Sequence, residues 1–200
     1  MFVAVKIQIE ANITMQKALA SLLPKLGRQS LTHRVLRVDH AGEYAAYKIY
    51  AGQIAALQRD PVCSILQHLQ NQETEHLCEM ERLCAKHQVR KTVFTPLYHF
   101  IGFGLGYVSG ILGVRTAMGL TVAVEELIAK HYSGQIEKLV EDDPTAHAEL
   151  LEKLSKFRDD EIEHHDTAVE HGGLQAPFFG AFKWLIQAGC KTAIAISSRV

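Results

Sequence analysis

Two glutamate–histidine pairs, Glu73-x-x-His76 and Glu161-x-x-His164, carry the clearest chemical signal in the chain. Positions i and i+3 of a helix share one face, so each pair can grip one metal ion. Another glutamate precedes each pair on its own apolar stretch: Glu43 lies thirty residues before Glu73, and Glu125 thirty-six before Glu161. The pattern E…ExxH therefore occurs twice, as an internal repeat of two helical hairpins.

The neighbours of these groups indicate which way they point. Glu73 shares its helical face with Leu66, Leu69, His76, Met80 and Leu83, and Glu161 with Leu150, Leu154, Phe157, His164 and Ala168. Glu125 sits with Thr121, Ile128, Tyr132, Ile136 and Leu139; Glu43 sits with Tyr47, Tyr50, Ile54 and Leu57. Each carboxylate interrupts an apolar seam. An unpaired buried carboxylate costs several kcal/mol, so four in one core require cations. Two divalent irons supply four positive charges for four negative ones. Four Glu and two His, arranged as Glu-x-x-His on two helices and a single Glu on two others, is the ligand pattern of a ferritin-like di-iron four-helix bundle. The expected metal ligands are Glu43, Glu73, His76, Glu125, Glu161 and His164. Mixed oxygen and imidazole donors suit iron or manganese better than a thiolate-loving metal.

Other groups near the seams are weaker candidates. His40 precedes Glu43 by three, but Val122 holds the matching place before Glu125; His165 has Leu77 as its counterpart. Neither is expected to be a ligand. Asp39 and Asp160 either orient ligand imidazoles across the site or are ordinary helix-end charges. Tyr132, two turns beyond Glu125 on the same face, is a tentative substrate contact; the plain alternative is a core tyrosine.

The elements that must position these groups are helices. Apolar residues recur at three and four, with helical patterns over 31–58, 62–88, 97–114, 116–140, 145–171 and 178–198. Asp60-Pro61 and Asp143-Pro144-Thr145 separate neighbouring patterns. No run alternates long enough to demand a strand, so the fold class is all-α: a four-helix bundle with two additional helices. Residues 1–30 form a lead segment of uncertain structure and 31–200 one domain. An apolar fraction of 48% and a charged fraction of 22% over 200 residues exclude wholesale disorder. The net charge of −1 leaves no field to recruit nucleic acid. Four cysteines without a CxxC pair argue against a disulfide framework or a zinc site.

Two segments bear on membranes. Residues 92–114 contain no Asp, Glu, Lys or Arg and are long enough to span a bilayer. Gly102, Gly106, Gly110 and Gly113 form a smooth stripe that permits close helix packing. The expectation is a helix that both packs and touches lipid; burial and a true span are the alternatives. In the last pattern Phe182, Leu185, Ile186, Gly189, Ala193 and Ile196 share a face, with Lys183, Gln187 and Lys191 on another. That helix is expected to lie on anionic lipid, or else to close the bundle.

At the ligand positions the chain resembles a known family. Arg37-Val38-Asp39-His40-Ala41-Gly42-Glu43-Tyr44, Thr121-Val122-Ala123-Val124-Glu125-Glu126, Phe157-Arg158-Asp159-Asp160-Glu161-Ile162-Glu163-His164-His165-Asp166 and Gln187-Ala188-Gly189-Cys190 look like the demethoxyubiquinone hydroxylases of ubiquinone biosynthesis. The resemblance runs from about residue 31 to the C-terminus; Ala45 stands where the family commonly has glycine. It implies the same six ligands and two iron ions per chain, cycling between Fe2+ and Fe3+. It also implies O2 as co-substrate and NADH as the ultimate electron donor. The implied reaction hydroxylates the ring of a polyprenylated demethoxyubiquinol, with residues 92–114 and 178–198 walling the approach of its tail. The implied setting is peripheral, on the cytoplasmic face of a bacterial membrane or the matrix face of the mitochondrial inner membrane. A lipid-binding partner, and a homo-oligomer, are compatible with it. The competing reading is a ferritin-like iron-storage protein, which shares the ligand pairs but has no use for a glycine-striped uncharged window.

Overall fold

The apolar stripes of the ligand-bearing helices face one another in the structure, a computed structural model that describes residues 31–200. The expected lead segment, 1–30, lies outside the described residues. Six helices follow in order: α1 over 31–56, α2 Cys63–Lys86, α3 Thr95–Ile111, α4 Val114–Asp142, α5 Ala148–Glu170 and α6 Phe179–Ser197. A short 3-10 turn, Gly173–Gln175, precedes α6. No strand occurs among the described residues, so the chain is all-α as its periodicity indicates. The two Asp-Pro punctuations act through the aspartate side chains. Asp60 accepts from the Val62 N–H at 2.9 Å, and Asp143 from Thr145 and Ala146 at 3.1 and 3.0 Å. Asx turns of this kind satisfy backbone donors that no helix provides for.

Helices α1, α2, α4 and α5 share the core around the candidate ligands. On one side Leu36, Met80, Leu83, Tyr132, Leu139, Leu154 and Phe157 pack together; on the other Tyr50, Leu66, Leu69, Met118, Val122 and Ala168 do so. The buried residues of α5 are the six on the face of Glu161 read from the sequence. On α2 the six predicted positions are joined by Cys84 alone.

Helix α3 docks on α1 through its glycines. A Cβ at Gly106 would stand 1.9 Å from the Ile49 carbonyl oxygen, and one at Gly52 of α1 would stand 2.2 Å from that of Phe103. The two backbones touch, which only glycine allows at such crossings. The opposite face of α3 is apolar and exposed, with Phe100 at 75%. The spanning alternative for residues 92–114 fails. Helix α3 has 17 residues, Gly113 at φ 109° turns the chain into α4, and no described helix is long and apolar enough to cross a membrane.

Helix α6 departs from the expected division of faces. Lys183 pairs with Glu126 of α4, and the Gln187 amide donates to the Ala123 carbonyl at 3.1 Å. Lys183 and Gln187 of the expected headgroup stripe thus turn toward α4, where Lys183 joins Lys130 on Glu126, while Lys191 stays exposed. Ile186 is buried beside Ile49 and Leu120, while Trp184, Leu185 and Phe178 are exposed.

Candidate metal centre

The internal repeat brings its two halves face to face. Glu43 comes from α1, Glu73 and His76 from α2, Glu125 from α4, and Glu161 and His164 from α5; none is more than 2% exposed. Their donor atoms form two sets, Glu43–Glu73–His76–Glu161 and Glu73–Glu125–Glu161–His164, each within 4.8 Å. Glu73 and Glu161 belong to both sets. Each set therefore has one glutamate and one histidine of its own and two carboxylates placed to bridge.

Both imidazoles turn Nδ1 toward the cluster. His76 Nδ1 lies 3.3 Å from Glu43 and 3.4 Å from Glu161; His164 Nδ1 lies 3.1 Å from Glu73 and 3.2 Å from Glu161. The outer nitrogens are held from behind. His76 Nε2 donates to Asp160 at 2.9 Å, and His164 Nε2 to the Gln72 amide oxygen at 3.2 Å. Such partners fix the tautomer and the ring plane of a ligand. His76 also stacks on Phe157, ring centres 4.0 Å apart.

Charge shows what the cluster lacks. Burial, then the neighbouring carboxylates, push Glu73 and Glu125 well above the usual glutamate range. Burial opposes ionisation of Glu161 as well, but the His164 hydrogen bond and the adjacent His76 imidazole outweigh it and bring it to about 2. His76 is pushed up to about 12: burial works against its charge, and the Glu161 and Glu43 carboxylates prevail. Without cations this core must hold protons. Glu43 Oε2, both Glu73 oxygens, His76 Nδ1 and Glu125 Oε2 are buried with no hydrogen-bond partner. Orphaned donor atoms directed at a common centre fit two divalent ions, whose charge would replace those protons.

The remaining sequence candidates divide. Asp160 orients an imidazole. Asp39 instead accepts from Gln135 at 2.7 Å and touches no candidate ligand. His40 is buried with its Nε2 3.7 Å from Glu81, and His165 contacts Asp166 at 2.9 Å; neither joins the cluster. Tyr132 is not placed as a substrate contact. It is fully buried, donates to Glu43 and does not line the cavity that reaches the cluster, because its ring fills the core beside Phe157. Sequence reasoning missed Tyr50, which donates to Glu125 at 2.8 Å, and Gln72. The repeat contained both signals: Tyr50 follows Glu43 by seven as Tyr132 follows Glu125, and Gln72 precedes Glu73 as Asp160 precedes Glu161.

One cavity opens onto the cluster. Glu43, Glu73, Glu125 and Glu161 stand at its inner end, and Ala46, Ile49, Tyr98, Val124, Ile128, Ala193 and Ile194 line its walls. Helices α1, α3, α4 and α6 thus frame an apolar approach to a polar floor.

The family model described as ubiquinone biosynthesis protein COQ7 matches residues 30–197, a span holding every residue of this centre. The chain belongs to the COQ7 family. Among its COQ7 relatives is a Caenorhabditis elegans protein, "NADPH-dependent 3-demethoxyubiquinone 3-hydroxylase, mitochondrial". It is 51% identical over 173 residues, covering 86% of this chain and 92% of the relative. The Homo sapiens protein of the same name is 48% identical, covering 84% and 77%. A Rhodospirillum rubrum "3-demethoxyubiquinol 3-hydroxylase" is 40% identical, covering 86% and 79%.

Proposed function

We propose that this COQ7-family chain is an oxygen-dependent di-iron monooxygenase. Its substrate is a polyprenylated demethoxyubiquinol of ubiquinone biosynthesis, hydroxylated on the ring. Residues 31–200 form one ferritin-like domain in which α1, α2, α4 and α5 are the four-helix bundle and α3 and α6 the two additional helices. The observation that carries the reading is the pair of donor sets sharing Glu73 and Glu161 at the floor of an apolar cavity. The iron ligands are Glu43, Glu73, His76, Glu125, Glu161 and His164. When bound, two irons supply O2 activation and store the electrons it requires.

The chain's own groups do the rest. The four carboxylates would balance the metal charge, and Glu73 and Glu161, which belong to both donor sets, would serve both ions. Tyr50 and Tyr132 keep their protons, since burial and adjacent carboxylates push both phenols well above their usual range, and they direct them at Glu125 and Glu43. The cavity walls exclude water and accept an apolar tail, while ring access ends at the carboxylate floor. The electron donor is a reduced nicotinamide; the animal relatives are named for NADPH, where the family resemblance suggests NADH. Iron storage is set aside, since the relatives are named as hydroxylases and storage makes no use of a lined apolar approach.

The exposed apolar faces of α3 and α6 favour peripheral binding to a membrane, where such a quinol resides. That membrane is the cytoplasmic membrane of a bacterium, met from its cytoplasmic face, or the mitochondrial inner membrane, met from the matrix; relatives of both kinds match, mitochondrial ones at 51% to 35% and a bacterial one at 40%. A lipid-binding partner and a second copy of the chain remain compatible with this placement.

Quinone analysis of a strain lacking this activity tests the reading. The demethoxy precursor should accumulate, and rescue with this chain under ¹⁸O2 should place one labelled oxygen on the ring. Label entering from water instead excludes a monooxygenase.

A further inference from the structure

The two donor sets match closely. Each has its own glutamate and histidine, shares the same two carboxylates, and has a tyrosine donating to its private glutamate. The groups behind the imidazoles break this symmetry. The residue just before each Glu-x-x-His glutamate crosses to the histidine of the other hairpin: Asp160 to His76 at 2.9 Å, and Gln72 to His164 at 3.2 Å. One partner is a carboxylate and the other a neutral amide.

That difference reaches the metal through the ring. Both histidines direct Nδ1 inward, so with a cation on Nδ1 each would keep its proton on Nε2, facing its partner. A carboxylate draws that proton more strongly than an amide oxygen does. Electron density on Nδ1 rises accordingly, and a charge-assisted bond of this kind is about twice as strong as a neutral one. Lys156 also contacts Asp160, at 2.6 Å. Because that lysine is exposed, water screens it, and it weakens the carboxylate's pull without abolishing it.

We infer that the two metal positions are unequal: the one at His76, backed by Asp160, holds its ion more tightly and favours the higher oxidation state than the one at His164, backed by Gln72. This rests on the di-metal reading above. Asp160 and Gln72 are positioning residues that touch neither metal nor substrate. Partners of this kind change metal affinity by about ten- to a hundredfold.

The test is an anaerobic Co2+ titration of the full, metal-stripped chain, with ⁵⁷Fe Mössbauer spectra of the iron-loaded protein. Repulsion between two nearby ions separates the binding steps even at equal sites, so the response to substitution is what discriminates. Asp160→Asn should weaken the tighter step by about tenfold or more, leave the weaker one nearly unchanged, and bring the two iron signals together. Gln72→Glu, at a half-buried position, should strengthen the weaker step and also bring the signals together; it keeps the test alive if Asp160→Asn does not fold. Equal weakening of both steps by Asp160→Asn, or no response to either substitution, overturns the inference. Failure to bind any Co2+ or iron would overturn the di-metal reading itself, a separate outcome.

Discussion

The Tyr132 hydroxyl, on the helix of Glu125, donates to Glu43, on the opposite hairpin. Its repeat-mate does the converse: Tyr50, on the helix of Glu43, donates to Glu125 at 2.8 Å. The duplicated motif therefore extends past the six candidate ligands, as Glu-x6-Tyr on both single-glutamate helices. Each half of the repeat fixes a carboxylate of the other. Neither half can assemble its set alone, which ties metal-site geometry to the packing of α1 against α4.

Removing either phenol should have a matched cost. Tyr132→Phe leaves a buried Glu43 oxygen without its donor, a loss of about 1–3 kcal/mol. Tyr50→Phe should cost a similar amount at Glu125. Thermal unfolding of the metal-stripped protein should show both drops, while the loaded variants still bind two ions at reduced affinity. Unchanged midpoints for both would mean the two hydrogen bonds contribute nothing net.

Much of this was legible because a carboxylate in an apolar seam is a strong pattern. Leu154, Phe157, Glu161 and His164 fall on one helical stripe and are buried together, and type and spacing were enough to pick out the six groups that cluster. Cross-helix partners were less legible. The sequence placed Tyr50 in an apolar seam, and only the meeting of α1 with α4 revealed that its hydroxyl ends at Glu125. Lys183 shows the opposite limit: helical spacing put it on a polar stripe, but the spacing of one helix cannot say whether that stripe meets water, lipid or a carboxylate. It meets Glu126.

Stability of the metal-free protein should fall as pH rises. Glu73, Glu125 and His76 bind protons more tightly folded than unfolded, so their contribution is complete below their ordinary values and is lost as pH climbs through the raised ones. For His76 that window runs from 6.5 to about 12. Glu161, held to about 2, acts oppositely, and its contribution is lost only as pH falls from 4.5 toward that value. Bound cations replace the protons. Melting temperatures between about pH 6.5 and 9 should therefore decline for chelator-stripped protein and stay nearly level for loaded protein, with protons released on metal uptake. Parallel curves for the two forms would contradict the role assigned to the cluster.

The α1–α3 contact gives a paired test within two residues. Gly106→Ala drives a methyl into the Ile49 backbone and should destabilise by about 1–3 kcal/mol, as overpacking does. Gly104→Ala meets nothing within 4 Å and should stabilise by about 0.5–1 kcal/mol through helix propensity alone. Urea unfolding should move the two midpoints in opposite directions. The same sign for both would place the close approach elsewhere.

Membrane binding should depend on rings, with Lys183 contributing little. Phe100 on α3 and Trp184 on α6 are 75% and 72% exposed, large apolar side chains that the folded chain leaves in water. Full burial of such a ring is worth about 1.5–3 kcal/mol, so Phe100→Ser and Trp184→Ser should each weaken liposome binding by about tenfold or more. Iron content should not change, since neither residue belongs to the candidate ligand sets. Lys183→Glu should act differently: it places a second negative charge against Glu126 and should loosen α6, lowering the melting temperature with little direct effect on lipid affinity. Lys191, exposed and carrying no such pair, is the better site for charge reversal, and its effect should fade as salt is raised. Sedimentation with anionic vesicles at low and high salt separates these contributions. If both ring variants bind as the unmodified chain does, the exposed apolar faces of α3 and α6 do not meet lipid.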